Sequence, residues 1–346
     1  MMMAERYDGF ASDSGCAPRQ NHDAAARLTD PSRPPGPRVY RMLRPFKLHE
    51  PTSVDDAVSL LGHYGEEAKV YCGGTELLLA MKEGLLRYNH LVNVKTIPGL
   101  DEVSFDSSTD VLSIGAAVTH SALEQSPQVQ SHFPMIAQAE GNVANVRVRN
   151  VGTIGGNLCF SEPHSDPGAF LLLFDAQVEI QGTVGRRTMP LAELTLGPFE
   201  TCLEDDEILT RILVPQFPQG MTGAYLKFGY HVRPTLGLGV AVRLDGAPSN
   251  GEGIERAVVA EVRVSVGSAG PKAVRAPEAE DLLRGKTVAE LLPSSNNSGS
   301  TPMAEAGRLA GRAADPLDDM HGTAEYKEHM VGIFLKRALA QAIQTS

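Results

Sequence analysis

The sequence contains no tryptophan and only four cysteines, which are Cys16, Cys72, Cys159 and Cys202. No indole is therefore available to stack on a ligand. The cysteines form no Cys-x-x-Cys pair, whereas zinc and iron–sulfur sites need cysteine or histidine at short, paired spacings. We therefore expect no metal and no iron–sulfur cluster in this chain, and we interpret the cysteines as reduced, small apolar residues.

Long apolar runs and an excess of positive charge are also missing. No run approaches the roughly 18 apolar residues of a membrane-spanning helix, so no membrane span is expected. The first residues lack the apolar core of a secretory signal, which favours a cytoplasmic protein. The formal net charge of −11 argues against a broad nucleic-acid surface, and we expect no DNA or RNA partner.

Composition changes along the chain predict its organisation. Residues 1–41 are rich in proline and lack a sustained apolar period, so we interpret them as a disordered extension or as a translation start assigned upstream of Met42. Residues 42–217 show mixed helix and strand patterns around glycine-rich turns. Residues 220–346 show strand patterns typical of an antiparallel sheet, followed by helices.

Local patterns predict individual elements on either side of the main turns. Ser53 is a candidate cap for a helix that ends at Gly65, and a strand over residues 69–72 leads into a helix over residues 75–83. Thr323 is expected to cap the last helix. The face predicted to be mostly apolar in that helix contains Tyr326, Met330, Ile333, Phe334, Arg337, Ala338 and Gln341.

Two glycine-rich turns are the candidate binding elements. The first loop, residues 72–77, reads Cys-Gly-Gly-Thr-Glu-Leu, and the second loop, residues 151–157, reads Val-Gly-Thr-Ile-Gly-Gly-Asn. Glycine permits close approach of a ligand, and backbone N–H groups at a helix start attract anions such as phosphate. Two such loops could hold the two phosphates of a dinucleotide from two sides.

Structural interpretations compete with this binding hypothesis. A Gly-Gly pair is most often a tight turn, and neither loop matches the Walker or the Gly-x-Gly-x-x-Gly pattern. Gly237 and Gly239 begin a Gly-x-Gly-x-x-Gly pattern elsewhere in the chain, but Val242 occupies the position of its third glycine. Asp166 is expected either to cap a helix over residues 167–174 or to accept hydrogen bonds from ribose hydroxyls or a ring N–H.

Taken together, the strings resemble the FAD-binding medium subunit of the xanthine dehydrogenase and carbon monoxide dehydrogenase family of molybdenum hydroxylases. The resemblance extends from Met42 to the C-terminus. It is carried by the opening Leu-Arg-Pro-Phe at 43–46, by both loops, by Gly-Ala-Ala-Val-Thr-His at 115–120 and by Gly-Thr-Ala-Glu-Tyr at 322–326. The string Arg-Asn-Val-Gly-Thr-Ile-Gly-Gly-Asn-Leu at 149–158 is the most specific of them.

This resemblance implies an α+β fold. A two-part α/β FAD-binding domain of the p-cresol methylhydroxylase-like type would be followed by a C-terminal domain of antiparallel sheet plus helices. The FAD-contacting positions that it implies are Gly73, Gly74, Thr75, Glu76, Leu77, Thr153, Ile154, Gly155, Gly156, Asn157, Asp166, Leu209 and Lys227. On the residues alone, Leu209 is equally an ordinary strand-core residue and Lys227 an ordinary solvated charge.

The function implied is electron transfer. A molybdopterin-binding large subunit would hydroxylate the substrate, a small subunit with two two-iron two-sulfur clusters would relay electrons, and this chain would pass them from FAD to NAD, a quinone, oxygen or another carrier. No catalytic acid, base or nucleophile is then required here. A stand-alone FAD-dependent oxidoreductase and a scaffold that no longer binds FAD remain as alternatives.

Overall fold

A computed structural model describes residues 43–229, 233–246, 253–293 and 301–344. The proposed extension over residues 1–41 and most of the polar loop before Pro302 lie outside these ranges. None of the described helices combines the length and the apolar character needed to cross a membrane.

The described elements alternate between short helices and strands in the first half and become longer towards the C-terminus. The strands are β1 Lys47–His49, β2 Ala68–Tyr71, β3 His90–Asn93, β4 Val103–Asp106, β5 Val111–Gly115, β6 Gln177–Gly182, β7 Gly185–Pro190, β8 Thr195–Gly197, β9 Glu200–Thr201, β10 Ile208–Pro215, β11 Met221–Phe228, β12 Leu236–Asp245, β13 Val258–Gly267 and β14 Val274–Arg275. The α-helices are α1 Val54–Tyr64, α2 Leu77–Glu83, α3 His120–Gln125, α4 Pro127–His132, α5 Pro134–Gly141, α6 Val146–Arg149, α7 Ile154–Phe160, α8 Pro167–Leu172, α9 Pro277–Leu283, α10 Val288–Leu291, α11 Pro302–Ala313 and α12 Ala324–Gln344. Short 3₁₀ helices occupy Gly65–Glu67, Leu191–Glu193 and Ile254–Arg256.

The first sheet is small and parallel, in the order β1-β3-β2. Helix α1 packs on it and begins as predicted, because the Ser53 hydroxyl accepts a hydrogen bond from the backbone N–H of Asp56 over 3.1 Å. The helix ends at Gly65, also as predicted. Strand β2 leads directly into the first loop, and α2 starts two residues later than the pattern predicted, at Leu77.

The second sheet has five antiparallel strands in the order β4-β5-β10-β6-β7. Its central strand β10 contributes Ile208 to the same core as α1. Helix α7 packs against β10, so the second loop lies directly over this sheet. These two sheets form the two-part first half.

The C-terminal part is an antiparallel sheet, β11-β12-β13-β14, covered by α9, α11 and α12. Valines and leucines of β12 and β13 pack against alanines of the helices. The predicted apolar face of α12 was partly right: Phe334 and Ala338 are buried, and Met330 and Ile333 pack against the core, whereas Tyr326 is 42% exposed. The buried residues of the helix are Lys327, Val331, Phe334, Leu335, Ala338, Leu339, Ala342 and Ile343. Lys327 is among them because its ammonium bonds Asp319 and the carbonyl oxygen of Leu317 over 2.6 and 2.8 Å.

This architecture confirms the predicted α+β class. A two-part α/β unit precedes an antiparallel sheet with helices. Both glycine-rich loops follow strands or lie over sheets, so the fold holds their backbones at defined positions.

Candidate functional site

The first loop is in direct backbone contact with the second. A Cβ atom added to Gly73 would lie 2.5 Å from the carbonyl oxygen of Val151 and 2.8 Å from the Cα of Gly152. Gly74 has φ of 69°, a left-handed conformation that suits glycine. Because real Cβ atoms do not approach backbone so closely, this contact requires glycine at position 73.

The first loop also presents backbone donors that the protein does not use. Within the described residues, the N–H groups of Gly74, Thr75, Glu76 and Leu77 have no hydrogen-bond acceptor. Glu76 is the N-cap of α2 and forms no side-chain capping bond. Four partly buried donors at the positive end of a helix are a suitable donor set for an anionic group.

The second loop uses most of its donors internally. Ile154 and Gly155 donate their N–H groups to the carbonyl oxygens of Val118 and Ala116, each over 3.0 Å. Gly156 donates to the Thr153 hydroxyl over 3.2 Å, which caps α7. The second loop therefore differs from the open N–H surface that its glycines predicted, and it supplies shape and close packing more than donors.

The two glycines of α7 have different surroundings. A Cβ on Gly155 would lie 2.5 Å from the Cβ and 2.6 Å from the carbonyl oxygen of Ala116, so this glycine permits packing within the protein. A Cβ on Gly156 would meet only the Thr153 hydroxyl, at 2.8 Å. Gly156 is exposed and is the one that leaves the helix surface open to a ligand.

Asp166 and Lys227 form a buried ion pair between the two halves of the chain. The Lys227 ammonium donates to Oδ2 of Asp166 over 2.7 Å, and the two side chains are only 2% and 3% exposed. The ammonium also donates to the carbonyl oxygen of Asn142 over 3.0 Å, and the Tyr225 hydroxyl donates to Oδ1 of Asp166 over 2.9 Å. Burial raises the pKa of Asp166, and the nearby Lys227 opposes this shift.

This pair contradicts two structural interpretations of the sequence. Asp166 occupies the N-cap position of α8 but its carboxylate makes no capping bond. Lys227 is not a solvated charge, because its side chain is buried in the ion pair. Leu209 is a core residue of β10, only 4% exposed.

The structure brings most of the candidate residues together. Asn157 follows Gly156 in α7, and its Oδ1 accepts a hydrogen bond from Ser165, next to Asp166, over 2.7 Å. The backbone of Thr210, next to Leu209, accepts from the N–H of Ala116 over 2.9 Å, beneath Gly155. Glu76, in contrast, has an ion-pair partner, Arg233, whose Nη2 lies 3.0 Å from its Oε2.

Sequence reasoning missed three side chains at this site. Arg233 also pairs with Glu162 and thus connects the first loop to the segment after α7. His120 and Glu140 form a buried pair close to the second loop. His120 ends a recognised string, whereas neither Arg233 nor Glu140 had a pattern that distinguished it from other surface charges.

The thiols near the site are unreactive, because burial keeps them protonated. Burial raises the pKa of Cys159 to about 12 and also raises the pKa of Cys72. Among the residues that the structure describes, no group of three or more His, Cys, Asp or Glu side chains is placed to hold a metal ion. The unused amides of the first loop and the close approach that glycine permits between the loops instead fit an anionic group such as the phosphates of a dinucleotide.

Two family models match almost the whole described chain. Residues 44–217 match the FAD binding domain in molybdopterin dehydrogenase, and residues 234–342 match the CO dehydrogenase flavoprotein C-terminal domain. Among curated proteins, the chain is 34% identical to the carbon monoxide dehydrogenase medium chain of Hydrogenophaga pseudoflava, over 86% of this chain and 96% of that one. It is 33% identical to the nicotine 6-hydroxylase medium subunit of Paenarthrobacter nicotinovorans, over 84% and 95%.

Solved structures give the same result. A chain of the carbon monoxide dehydrogenase from Hydrogenophaga pseudoflava that lacks the Mo-pyranopterin moiety superposes with a TM-score of 0.75 at 33% identity, covering 87% of this chain and 98% of that one. A chain of the reconstituted CO dehydrogenase from Oligotropha carboxidovorans superposes with a TM-score of 0.78 at 28% identity, covering 88% and 100%.

Proposed function

Because the chain belongs to the FAD-binding medium subunits of the carbon monoxide dehydrogenase and xanthine dehydrogenase family of molybdenum hydroxylases, we propose that it receives electrons from an iron–sulfur partner and passes them to an external acceptor. The partners proposed are a molybdopterin-binding large subunit and a small subunit with two-iron two-sulfur clusters. The relatives are named as medium chains or subunits of such enzymes, which supports this arrangement.

One observation carries the proposal: two glycine-rich loops touch through their backbones beside four unused amides. FAD, when bound, supplies the one- and two-electron chemistry that links metal clusters to soluble acceptors. The protein's own contribution is to bind and orient the cofactor. The residues proposed to hold it are Gly73, Gly74, Thr75, Glu76, Leu77, Thr153, Ile154, Gly155, Gly156, Asn157, Asp166, Leu209 and Lys227.

Within this set, we propose distinct roles. The amides from Gly74 to Leu77 donate to the pyrophosphate, and Gly156 leaves room for it. The ion pair of Asp166 and Lys227 fixes the C-terminal sheet against the first half, so that both halves can contact one cofactor. Residues 42–217 then form the FAD-binding domain and residues 220–346 the C-terminal flavoprotein domain. The cytoplasm is the proposed compartment, where cysteines such as Cys72 and Cys159 stay reduced.

The absorption spectrum of the purified chain tests the proposal. We expect flavin bands, and release of FAD when the protein is denatured by heat. A colourless chain that takes up no added FAD would contradict the proposal and favour a scaffold. A yellow chain that oxidises a substrate of its own, without partner subunits, would favour the stand-alone oxidoreductase.

A valine at Gly156 should reduce FAD content with a smaller loss of stability than a valine at Gly155, because its side chain would enter the open surface of α7 and meet only the Thr153 hydroxyl, at 2.8 Å. Gly155→Val is the matched control. There the side chain would clash with Ala116, and we expect a loss of about 1–3 kcal/mol of stability. Flavin content and thermal midpoints of both variants are to be compared. Full flavin content in Gly156→Val would remove Gly156 from the proposed site.

A further inference from the structure

A buried histidine–glutamate pair lies beneath the junction of the two loops. Nδ1 of His120 is 2.7 Å from Oε2 of Glu140, and the side chains are 2% and 0% exposed. At this distance the two atoms share one hydrogen bond. The second oxygen of Glu140, Oε1, is buried and has no hydrogen-bond partner among the described residues.

This pair lowers the stability of the fold if its role is only structural. A buried carboxylate with an unsatisfied oxygen costs more than a well-packed apolar side chain of similar volume. The neighbours of the pair on α3 and α5, such as Leu123 and Ile136, are fully buried apolar residues. His120 and Glu140 therefore lie among apolar side chains. Because packing alone does not require a polar pair there, we expect its role to lie with the loops next to the imidazole.

The opposite edge of the imidazole faces both loops. A Cβ atom added to Gly152 would lie 3.4 Å from Cδ2 of His120 and 3.5 Å from the Thr75 hydroxyl. The backbone N–H of His120 donates to the carbonyl oxygen of Gly152 over 3.1 Å, which fixes the ring relative to the second loop. Nε2 is bonded to Cδ2 and has no hydrogen-bond partner within the described residues.

We propose that Nε2 of His120 donates a hydrogen bond to the pyrophosphate of FAD where the two loops meet, and that Glu140 is a positioning residue that orients the imidazole through the hydrogen bond at Nδ1. This inference rests on the proposed FAD site. It adds a side-chain donor to a site whose other proposed pyrophosphate donors are backbone amides.

The experiment measures the affinity of FAD and of ADP for the full-length chain after its flavin has been released. Asparagine at position 120 places an amide near Nδ1 and keeps the bond to Glu140, but it has no atom in the place of Nε2. Glutamine places an amide near Nε2 but loses the bond to Glu140. We expect His120→Asn to bind both FAD and ADP about tenfold more weakly, as for one charge-assisted hydrogen bond, with an unchanged thermal midpoint.

We expect His120→Gln to bind ADP more tightly than His120→Asn, although His120→Gln should be the less stable variant. If His120 had only a structural role, the less stable variant would instead bind ADP more weakly. Glu140→Gln should weaken ADP binding while retaining the fold. Unchanged ADP affinity in His120→Asn, or a loss confined to FAD, would overturn the inference. A wild-type chain that binds no FAD would instead overturn the proposed function.

Discussion

Replacing Lys227 by methionine is expected to lower the free energy of unfolding by about 3–5 kcal/mol, because it leaves the buried carboxylate of Asp166 without its counter-charge. The ammonium and the carboxylate are 2.7 Å apart and almost completely buried, so water cannot take the place of the lost partner. Urea denaturation of the full-length chain, with the slope of the transition compared between variants, measures this loss.

Two further variants separate the charge from the packing. Asp166→Asn combined with Lys227→Met removes both charges and should recover part of the lost stability. Arg284→Ala breaks an exposed pair with Asp281, whose side chain is 71% exposed, and should cost less than about 1 kcal/mol. If Lys227→Met is no more destabilised than Arg284→Ala, the pair between Asp166 and Lys227 does not stabilise the fold.

The same variant should show a characteristic pH dependence. Burial raises the pKa of Asp166 in the folded chain, and Lys227 opposes this, so removing Lys227 raises the pKa further. A carboxyl group with a raised folded pKa favours folding when protonated, and that contribution is lost as the pH rises through the folded pKa. The deficit of Lys227→Met relative to the wild type should therefore be largest at neutral pH and smaller in acid. A deficit that grows in acid would contradict this assignment.

Alanine at Gly73 is expected to reduce the affinity for FAD by about 10- to 100-fold, because overpacking against rigid backbone costs about 1–3 kcal/mol. The new Cβ would lie 2.5 Å from the carbonyl oxygen of Val151, so the two loops must separate. The amides of the first loop would then move away from the surface of α7. FAD titration of the released chain, together with its thermal midpoint, gives the result.

Gly197→Ala is a suitable control for this substitution. A Cβ there would meet only a carboxylate oxygen of Glu200, at 3.9 Å, which is an ordinary contact. This variant should bind FAD like the wild type. Equal FAD affinity in Gly73→Ala and Gly197→Ala would show that the contact between the loops does not matter for cofactor binding.

Local patterns determined much of this fold. The capping pair of Ser53 and Asp56 placed α1, because a hydroxyl before an apolar period satisfies the first unpaired N–H groups wherever the helix later packs. The apolar runs of residues 220–346 predicted the antiparallel strands β11 to β13, since strand burial repeats along the sequence itself. The two glycine-rich strings indicated the family, which the comparisons confirmed.

Tertiary structure alone decided how charged residues and glycines are used. Lys227 and Asp166 lie 61 positions apart, and no local pattern shows that their charges compensate each other in the interior. Lys327 of α12 is buried for the same reason, because its ammonium bonds Asp319 and the carbonyl oxygen of Leu317. Gly155 and Gly156 are adjacent in the sequence, yet Gly155 packs against Ala116 whereas Gly156 lies on an open surface, and only the folded structure shows this difference. Periodicity along the chain encodes burial of apolar groups, whereas a buried charge or a close backbone approach depends on a partner that only the folded chain brings near.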